Sequence, residues 1–388
     1  MSDHRLSVVY LDHVARMSGG EIALLRTLPA LLDRVRPLVV LAEDGPLRVR
    51  LDEAGIETLV LPLAERVRDA RRDTVAGSAI SAGNALALAS YVWRLRALLR
   101  QRQPDLVHTN SLKAALYGGL AGRLAGIPVV WHVRDRIADD YLSPRTTRLV
   151  KAAGRILPTA LIANSTTTLE TLPRQRRGRV IRNPVVPDSV TLAAPRPQKA
   201  AGPLVVGMVG RLAPWKGQQL FLDAFATAFP NREARARIVG SAMFGEDVYA
   251  GALRTQVRAL GLQDVVEFRG YREDVWAELA GLDVLVHASI VPEPFGQVVL
   301  EGMAAGLPVI ASGEGGPAEV VTDDVDGLLF APRSAGSLSA ALRRLADDPL
   351  TRARLGAAGR VTAATYSPES TATTLVDIYE QVLNRRSW

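Results

Sequence analysis

None of the 388 residues is cysteine. That excludes a disulfide framework, a thiolate metal site and a cysteine nucleophile, and it leads us to expect a cytosolic protein. Aromatic residues are scarce, at 5%, and they are not interleaved with the basic residues. A nucleic-acid groove built on base stacking is therefore not expected. No apolar run approaches the roughly 20 residues that span a bilayer. The longest, Ala85 to Trp93, reads as part of a buried helix. Met1 to Arg5 is polar, so no signal peptide is read at this end. No group of residues has metal-ligand spacing. Asp324-Val325-Asp326-Gly327 superficially resembles a metal-binding Asp-x-Asp, but its Gly and polar neighbours read as a turn before a strand. Neither a metal nor a cofactor is expected.

What is present suggests two domains. The length is about twice that of a typical domain. A content of 48% hydrophobic and 22% charged residues is that of a globular protein. Charge is unevenly placed. Residues 1–200 carry 30 Lys and Arg against 18 Asp and Glu, whereas residues 201–388 carry 17 against 22. The basic excess concentrates between Arg145 and Arg182. It is either a solvated face or a surface that meets an anionic partner, such as a membrane or a phosphorylated acceptor. The sequence leaves the oligomeric state open between a monomer and a homodimer.

Short apolar strands alternate with amphipathic helices, which predicts parallel sheets in an α/β fold. In the first half the strands read as Leu6–Leu11, Leu38–Ala42, Thr58–Pro62, Leu106–Asn110, Val129–Val133 and Leu161–Asn164. Helices are expected at Glu21–Leu32 and Leu112–Ala125, the latter stopped by Gly126-Ile127-Pro128. The Ala- and Pro-rich stretch Ala193 to Pro203 reads as a linker. The alternation then restarts with Leu204–Val209, Arg237–Gly240, Val265–Gly270, Val284–Ala288, Val309–Ser312 and Leu328–Phe330. A helical segment, Pro368 to Arg386, closes the chain. The expected division is 1–190 joined by 368–388, and 200–367. Two doubly wound domains of this kind face a cleft, and ligands bind at the C-terminal ends of their strands.

The motifs fall at such strand ends. Pro292-Glu293-Pro294-Phe295-Gly296-Gln297-Val298-Val299-Leu300-Glu301 sets two carboxylates eight positions apart, one on a loop and one inside the helix it opens. A helix N-terminus attracts phosphate, while carboxylates beside it suit sugar hydroxyls. The run therefore suggests a site for a sugar carried on a diphosphate. Glu301 has apolar neighbours in Val298, Val299, Leu300 and Met303, so it needs a partner, and ribose hydroxyls would serve. Gly210-Arg211-Leu212-Ala213-Pro214-Trp215-Lys216-Gly217 puts two cations on a strand-to-helix loop, where they can clamp a diphosphate. It is not a Walker A loop, because no Gly-Lys-Ser/Thr occurs. Gly19-Gly20-Glu21 follows the first strand and reads as a tight turn, or as a loop that lets the donor phosphates or the acceptor reach the backbone. His132 ends a strand and is expected in the site together with the nearby Arg134, whereas His108 reads as packing. Asn110-Ser111 reads as a helix cap or an acceptor contact.

These residues match a family. Glu293-Pro294-Phe295-Gly296 with Glu301 resembles the Glu-x7-Glu motif of family 4 retaining glycosyltransferases. Gly210-Arg211-Leu212 with Lys216-Gly217 is similar to that family's diphosphate segment. Phe268-Arg269-Gly270-Tyr271 with Asp274-Val275 is similar to its nucleobase segment. Asp105-Leu106-Val107-His108, Gly118 to Pro128 and Ala163-Asn164-Ser165 are similar to its N-terminal half. The resemblance covers nearly the whole chain. It implies the GT-B fold, with two Rossmann-like domains and a final helix that crosses back to the first. It also implies metal-independent transfer of a sugar from a nucleotide diphosphate, with retention of configuration.

Carried over by motif, Arg211 and Lys216 would hold the diphosphate and Glu301 the ribose, with the backbone at Gly270 and Tyr271 meeting the base. Glu293 and the amides of Phe295, Gly296 and Gln297 would hold sugar hydroxyls, the donor segment running on through Val298. His132 would contact the sugar from the opposite domain. UDP is the expected donor nucleotide, with GDP and ADP open. The acceptor is a cell-envelope precursor at the membrane face or a natural-product scaffold. Asn183-Pro184-Val185 departs from the family's usual Asn-Pro-Gly or Asn-Gly-Val, which implies only a change in hinge shape. An epimerase, a phosphorylase or a non-catalytic sugar-nucleotide binder on the same architecture are the alternatives.

Overall fold

The computed structural model describes residues 5–68, 82–173, 178–187, 202–243 and 245–384. Most of the expected linker, Ala193 to Pro203, lies outside the described residues. The chain forms two compact units, Met1–Pro184 with Ser367–Trp388, and Val185–Tyr366.

The first unit is built on seven parallel strands: β1 (Leu6–Asp12), β2 (Val35–Leu41), β3 (Glu57–Val60), β4 (Leu106–Thr109), β5 (Val129–Val133), β6 (Ala160–Ala163) and β7 (Gly178–Val180). Their order is β3-β2-β1-β4-β5-β6-β7. Strands of such a sheet are covered on both faces and therefore read as unbroken apolar runs. Alternate residues of β1 go to opposite sides: Val9 and Leu11 join one core with Val107 and Trp131, while Val8 and Tyr10 join the other with Val130 and Ile162. The closing helix, Pro368–Leu383, supplies Leu375, Val376 and Tyr379 to that second core. The Ser367 hydroxyl caps it, accepting from the Ser370 amide at 3.2 Å.

The second unit has six parallel strands: β8 (Leu204–Val209), β9 (Ala234–Val239), β10 (Val266–Gly270), β11 (Val284–His287), β12 (Val309–Ser312) and β13 (Leu328–Phe330). Their order is β10-β9-β8-β11-β12-β13. One core face is aromatic, with Phe221, Phe225 and Phe229 stacked at helical spacing along one flank of the sheet. In both sheets the winding direction reverses next to the first strand, between β1 and β4 and between β8 and β11. Crevices outside the strand ends open at such switch points.

Apart from shifted strand ends, such as β2 and β9 each beginning three residues earlier than read, the structure departs from the sequence reading in three places. The expected helix Glu21–Leu32 is instead a helix over Gly19–Thr27 and a 3-10 turn over Pro29–Leu31, because Pro29 lacks the amide needed to continue it. β7 was not anticipated; three residues among arginines carry no apolar signal. The run Ala85 to Trp93 lies in a helix, Ala82–Arg102, but not a buried one. Leu86 is 73% and Trp93 56% exposed, while Tyr91, Val92, Leu95 and Leu99 are buried in the core and Leu88 and Leu98 pack against it half-buried.

Phe225 sits between Phe221 and Phe229 with no exposure. Truncating such a ring costs about 3–5 kcal/mol. Scanning calorimetry of Phe225→Ala should show the melting of the second unit moved down while that of the first unit stays in place.

Candidate functional site

In the second unit, three glycines end adjacent strands. Gly210, Gly240 and Gly270 follow or close β8, β9 and β10, all with positive φ. The Gly210 amide donates to Val239 O at 2.9 Å and the Gly240 amide to Gly270 O at 2.8 Å. A Cβ on Gly240 would lie 2.0 Å from Gly210 O, so no side chain fits there, whereas Gly210 and Gly270 have space around them and are required by their positive φ. Past Gly210, the Leu212 amide bonds Ser241 O at 3.0 Å. A 3-10 turn, Pro214–Lys216, follows and leads into the helix Gln218–Ala228. Gly217 makes that junction: at φ +76°, a Cβ there would stand 1.9 Å from Ala288 O.

This turn presents both expected cations. Arg211 pairs with Glu246 at 3.2 Å and lies 5.4 Å from the Trp215 ring. Lys216 Nζ lies 4.5 Å from the same ring and 2.5 Å from Glu293 Oε1. The Glu293 carboxylate is buried. Its Oε1 also accepts from the Ser289 hydroxyl and stands 3.1 Å from His287 Nε2. Burial alone opposes ionisation there, but Lys216 and His287 outweigh it and hold the carboxyl well below the usual range.

The loop carrying Glu293 is clamped by backbone. The Gly316 amide donates to Glu293 O at 2.8 Å. A Cβ on Gly315 would meet both Glu293 N and O at 2.7 Å, and one on Gly316 would meet Phe295 Cα at 2.3 Å. Gly296, at φ +81°, opens the helix Gln297–Ala304 with no side-chain cap. Gln297 and Val298 are half-buried. Glu301 is buried on this helix between Leu300 and Met303. Tyr271 is exposed just beyond Gly270. Asp274 caps the helix Val275–Ala280, accepting from the Ala277 amide at 3.0 Å, and Arg269 is fixed to the buried Glu278 through two bonds, at 3.1 and 3.2 Å.

In the first unit a polar cluster lies at the ends of β1, β4 and β5. Asp12 is fully buried. It accepts from the Asn110 side-chain amide at 2.7 Å and from the His13 backbone amide at 2.7 Å. Asn110 Oδ1 accepts from Arg134 Nε at 2.9 Å, and Arg134 also donates to Asn183 Oδ1. Ser111 occupies the cap position of the helix Leu112–Ala125 but makes no capping bond; its hydroxyl instead meets His13 Nδ1 at 2.8 Å. Gly20 is small because a Cβ there would press on Arg134 Cδ at 3.2 Å, whereas Gly19 has open space. His132 and His108 are both buried. Burial and the Arg134 charge push His108 down to about 3 and His132 well below its ordinary value. Burial and the neighbouring Asp12 push the Glu21 carboxyl up to about 7.

The comparisons with known proteins agree with this geometry. A family model described as "Glycosyltransferase Family 4" matches residues 19–189, and one described as "Glycosyl transferases group 1" matches residues 192–362. The chain belongs to the family 4 glycosyltransferases, with the GT-B fold. It is 29% identical over 317 residues to a D-inositol 3-phosphate glycosyltransferase of Arthrobacter sp. (strain FB24), covering 74% of each chain. It is 29% identical over 341 residues to a GDP-mannose-dependent alpha-mannosyltransferase of Mycobacterium tuberculosis, covering 84% of this chain and 83% of the relative. The crystal structure of Anabaena Alr3699/HepE in complex with UDP and glucose superposes with a TM-score of 0.81 at 26% identity, covering 96% of this chain and 99% of that one. The chain is a glycosyltransferase that uses a nucleotide-sugar donor.

Among the expected residues of this glycosyltransferase, Lys216 and Glu293 meet directly, and Arg134 and Asn110 do likewise. Sequence reasoning missed His287 and Ser289 at the end of β11, and Gly315 and Gly316. The run Gly313-Glu314-Gly315-Gly316-Pro317 was a readable signal, because glycines in series mark a close backbone approach. Asp12 and His13 were missed too, since a single polar residue at a strand end carries no pattern, and Glu21 was read only as part of the Gly19-Gly20-Glu21 turn.

Opposite pH dependences follow from the two buried glutamates. The depressed Glu293 adds stability above the ordinary carboxylate value of about 4.3, and that stability is lost as pH falls below it. The raised Glu21 favours the protonated form, so it costs stability as pH climbs from about 4.3 through 7. Melting curves should show Glu293→Gln least stable, relative to the parent, at neutral pH and converging on it below pH 4. Glu21→Gln should gain on the parent as pH rises to 8.

Proposed function

We propose that this glycosyltransferase moves a sugar from a UDP-sugar to an acceptor hydroxyl, with retention of anomeric configuration and without a metal. The observation that carries the reading is the Glu293 carboxylate, kept ionised by Lys216 and His287 beside the uncapped helix at Gln297. A buried carboxylate binds sugar hydroxyls through charge-assisted hydrogen bonds. Lys216 and Arg211 supply the positive charge that the leaving diphosphate needs, which is the work a metal would otherwise do. UDP is favoured because the similar Anabaena protein is seen with UDP and glucose. GDP is the second reading, because of the GDP-mannose-dependent relative.

Glu293 is poorly suited to attack the sugar, since Lys216 and Ser289 donate to its Oε1 and His287 Nε2 stands 3.1 Å from it. We therefore favour front-face departure over a covalent double displacement. The bond from the anomeric carbon to the diphosphate oxygen breaks, the acceptor oxygen bonds on the same face, and its proton passes to the departing phosphate. Glu301 holds the ribose, Gly270 and Tyr271 flank the base, and the amides of Phe295 through Val298 meet the sugar and phosphates. Acceptor recognition falls to the first unit, around Asn110, Ser111, His132 and Arg134. Supplying UDP-, GDP- and ADP-sugars with EDTA and following nucleotide release tests the reading. Release should occur with the UDP-sugar and be unchanged by EDTA, with the product anomer matching the donor by NMR. Lys216→Ala and Arg211→Ala should each lower turnover roughly 100- to 1,000-fold. An EDTA-sensitive or inverting reaction would count against it.

A surface of the first unit supports peripheral contact with anionic membrane. Trp93, Leu124 and Ile156 are all exposed, and arginines tie their helices together. Arg96 lies 4.8 Å from the Trp93 ring and bonds Leu124 O, while Arg123 bonds Ile156 O. Arg145, Arg148 and Arg155 are exposed alongside Leu149 on the helix Pro144–Ile156. Basic residues around apolar ones suit an anionic bilayer surface. No helix among the described residues is long and apolar enough to cross a membrane. The protein should therefore co-sediment with vesicles containing phosphatidylserine at low salt but not with neutral ones, and Trp93→Ala with Ile156→Ala should abolish the binding.

A further inference from the structure

The mechanism above gives no work to two buried tyrosines and a buried histidine in the first unit, yet they form an unbroken polar chain. Tyr10 Oη lies 3.0 Å from Tyr379 Oη. Tyr379 Oη lies 2.8 Å from His108 Nδ1, and His108 Nε2 lies 3.2 Å from His132 Nδ1. Arg134 Nη2 approaches the same His132 Nδ1 at 3.4 Å. His132 Nε2 is buried and has no partner among the described residues.

Donor and acceptor inventory fixes the direction of every link. A guanidinium only donates, so His132 Nδ1 must accept. The His132 proton therefore sits on Nε2. His108 Nε2–H then donates to His132 Nδ1, which leaves His108 Nδ1 bare. That nitrogen must accept from Tyr379, whose oxygen in turn accepts from the Tyr10 hydroxyl. The reverse tautomer of His132 would point its Nδ1–H at an arginine N–H. Protonating either ring would place a second cation beside Arg134, and burial disfavours that as well. Burial also pushes both phenols above their ordinary range, so they stay neutral hydroxyls able to donate.

We propose that Tyr379 and His108 are positioning residues that, together with Arg134, lock His132 as the neutral Nε2–H tautomer, so that it presents one fixed hydrogen-bond donor. A buried N–H without a partner is rare and costs stability, which fits a group held ready for a ligand oxygen. The chemical partner of that donor is a sugar or acceptor hydroxyl, or an oxygen bearing developing negative charge. The lock is completed from the closing helix: Tyr379 is more than 240 residues from His132 in sequence, so its hydroxyl reaches His108 only because that helix returns to the first unit. That His132 serves transfer rests on the function proposed above; the tautomer does not.

The test is 15N NMR of the full chain labelled at histidine, with the His132 signals assigned by their loss in His132→Gln. We expect a bare Nδ1, a protonated Nε2 and a ring that stays neutral as pH is lowered to 5. A protonated Nδ1, or a charged ring at neutral pH, would overturn the proposal. Two phenol deletions then separate positioning from packing. Tyr379→Phe removes the donor to His108 and leaves the His132 tautomer held by the long Arg134 contact alone, so part of the population should shift to the reverse tautomer, and turnover should fall roughly 10- to 100-fold, as for other outer hydrogen-bond partners. Its KM for the donor should change little. Tyr10→Phe removes an equally buried hydroxyl but leaves the Tyr379 donation in place, so its tautomer and turnover should match the parent. Equal effects of the two variants would overturn the proposal. Absence of any transfer activity beside the expected tautomer would instead strike the proposed function alone.

Discussion

Much of the second unit is organised around one buried ion pair, Lys216 with Glu293. An ionised carboxylate out of water is costly unless it is paired and hydrogen-bonded. Here a lysine, a serine and a histidine converge on it from two strand ends. Their convergence requires the loops after β8 and β11 to approach within side-chain reach. Gly217 permits that approach, because no side chain fits between it and Ala288. Gly315 and Gly316 hold the loop from behind in the same way. The glycines and the carboxylate are thus parts of one constraint: backbones packed tightly enough to fix a charge.

The first unit follows the same plan with a different charge. There a half-buried arginine, Arg134, is held by Asn110 and Asn183 and lies near Asp12 and Glu21. Burial lowers its pKa to about 10, and the two carboxylates offset part of that shift. Both clusters lie at the switch points of their sheets, where strands leave a crevice. A parallel α/β unit offers few other places for irregular polar groups, since its strands are apolar and its helices cover both faces.

The sequence revealed the strands well because a parallel, doubly covered strand is apolar along its length: β5, β8, β12 and β13 match the reading to the residue. It failed where the signal is not apolar, as at the three-residue β7, and where apolar content misled, as at Leu86 and Trp93 on an exposed helix face. Site residues were legible when they came as a linear run, such as Glu293 to Glu301. His287 and Ser289 were not, because their partner lies across a loop. Tyr379 was beyond reach for a similar reason, since nothing in sequence ties a C-terminal tyrosine to His108.

Hydrogen–deuterium exchange of the protein with and without a saturating UDP-sugar tests the central claim most directly. The account predicts slowed exchange in the Gly210–Gly217 turn, around Gly270, and along the 290–301 loop and helix, with the outer strand β13 unaffected. Absence of protection at these segments, with protection elsewhere or nowhere, would contradict the assignment of the Lys216–Glu293 cluster as the donor site.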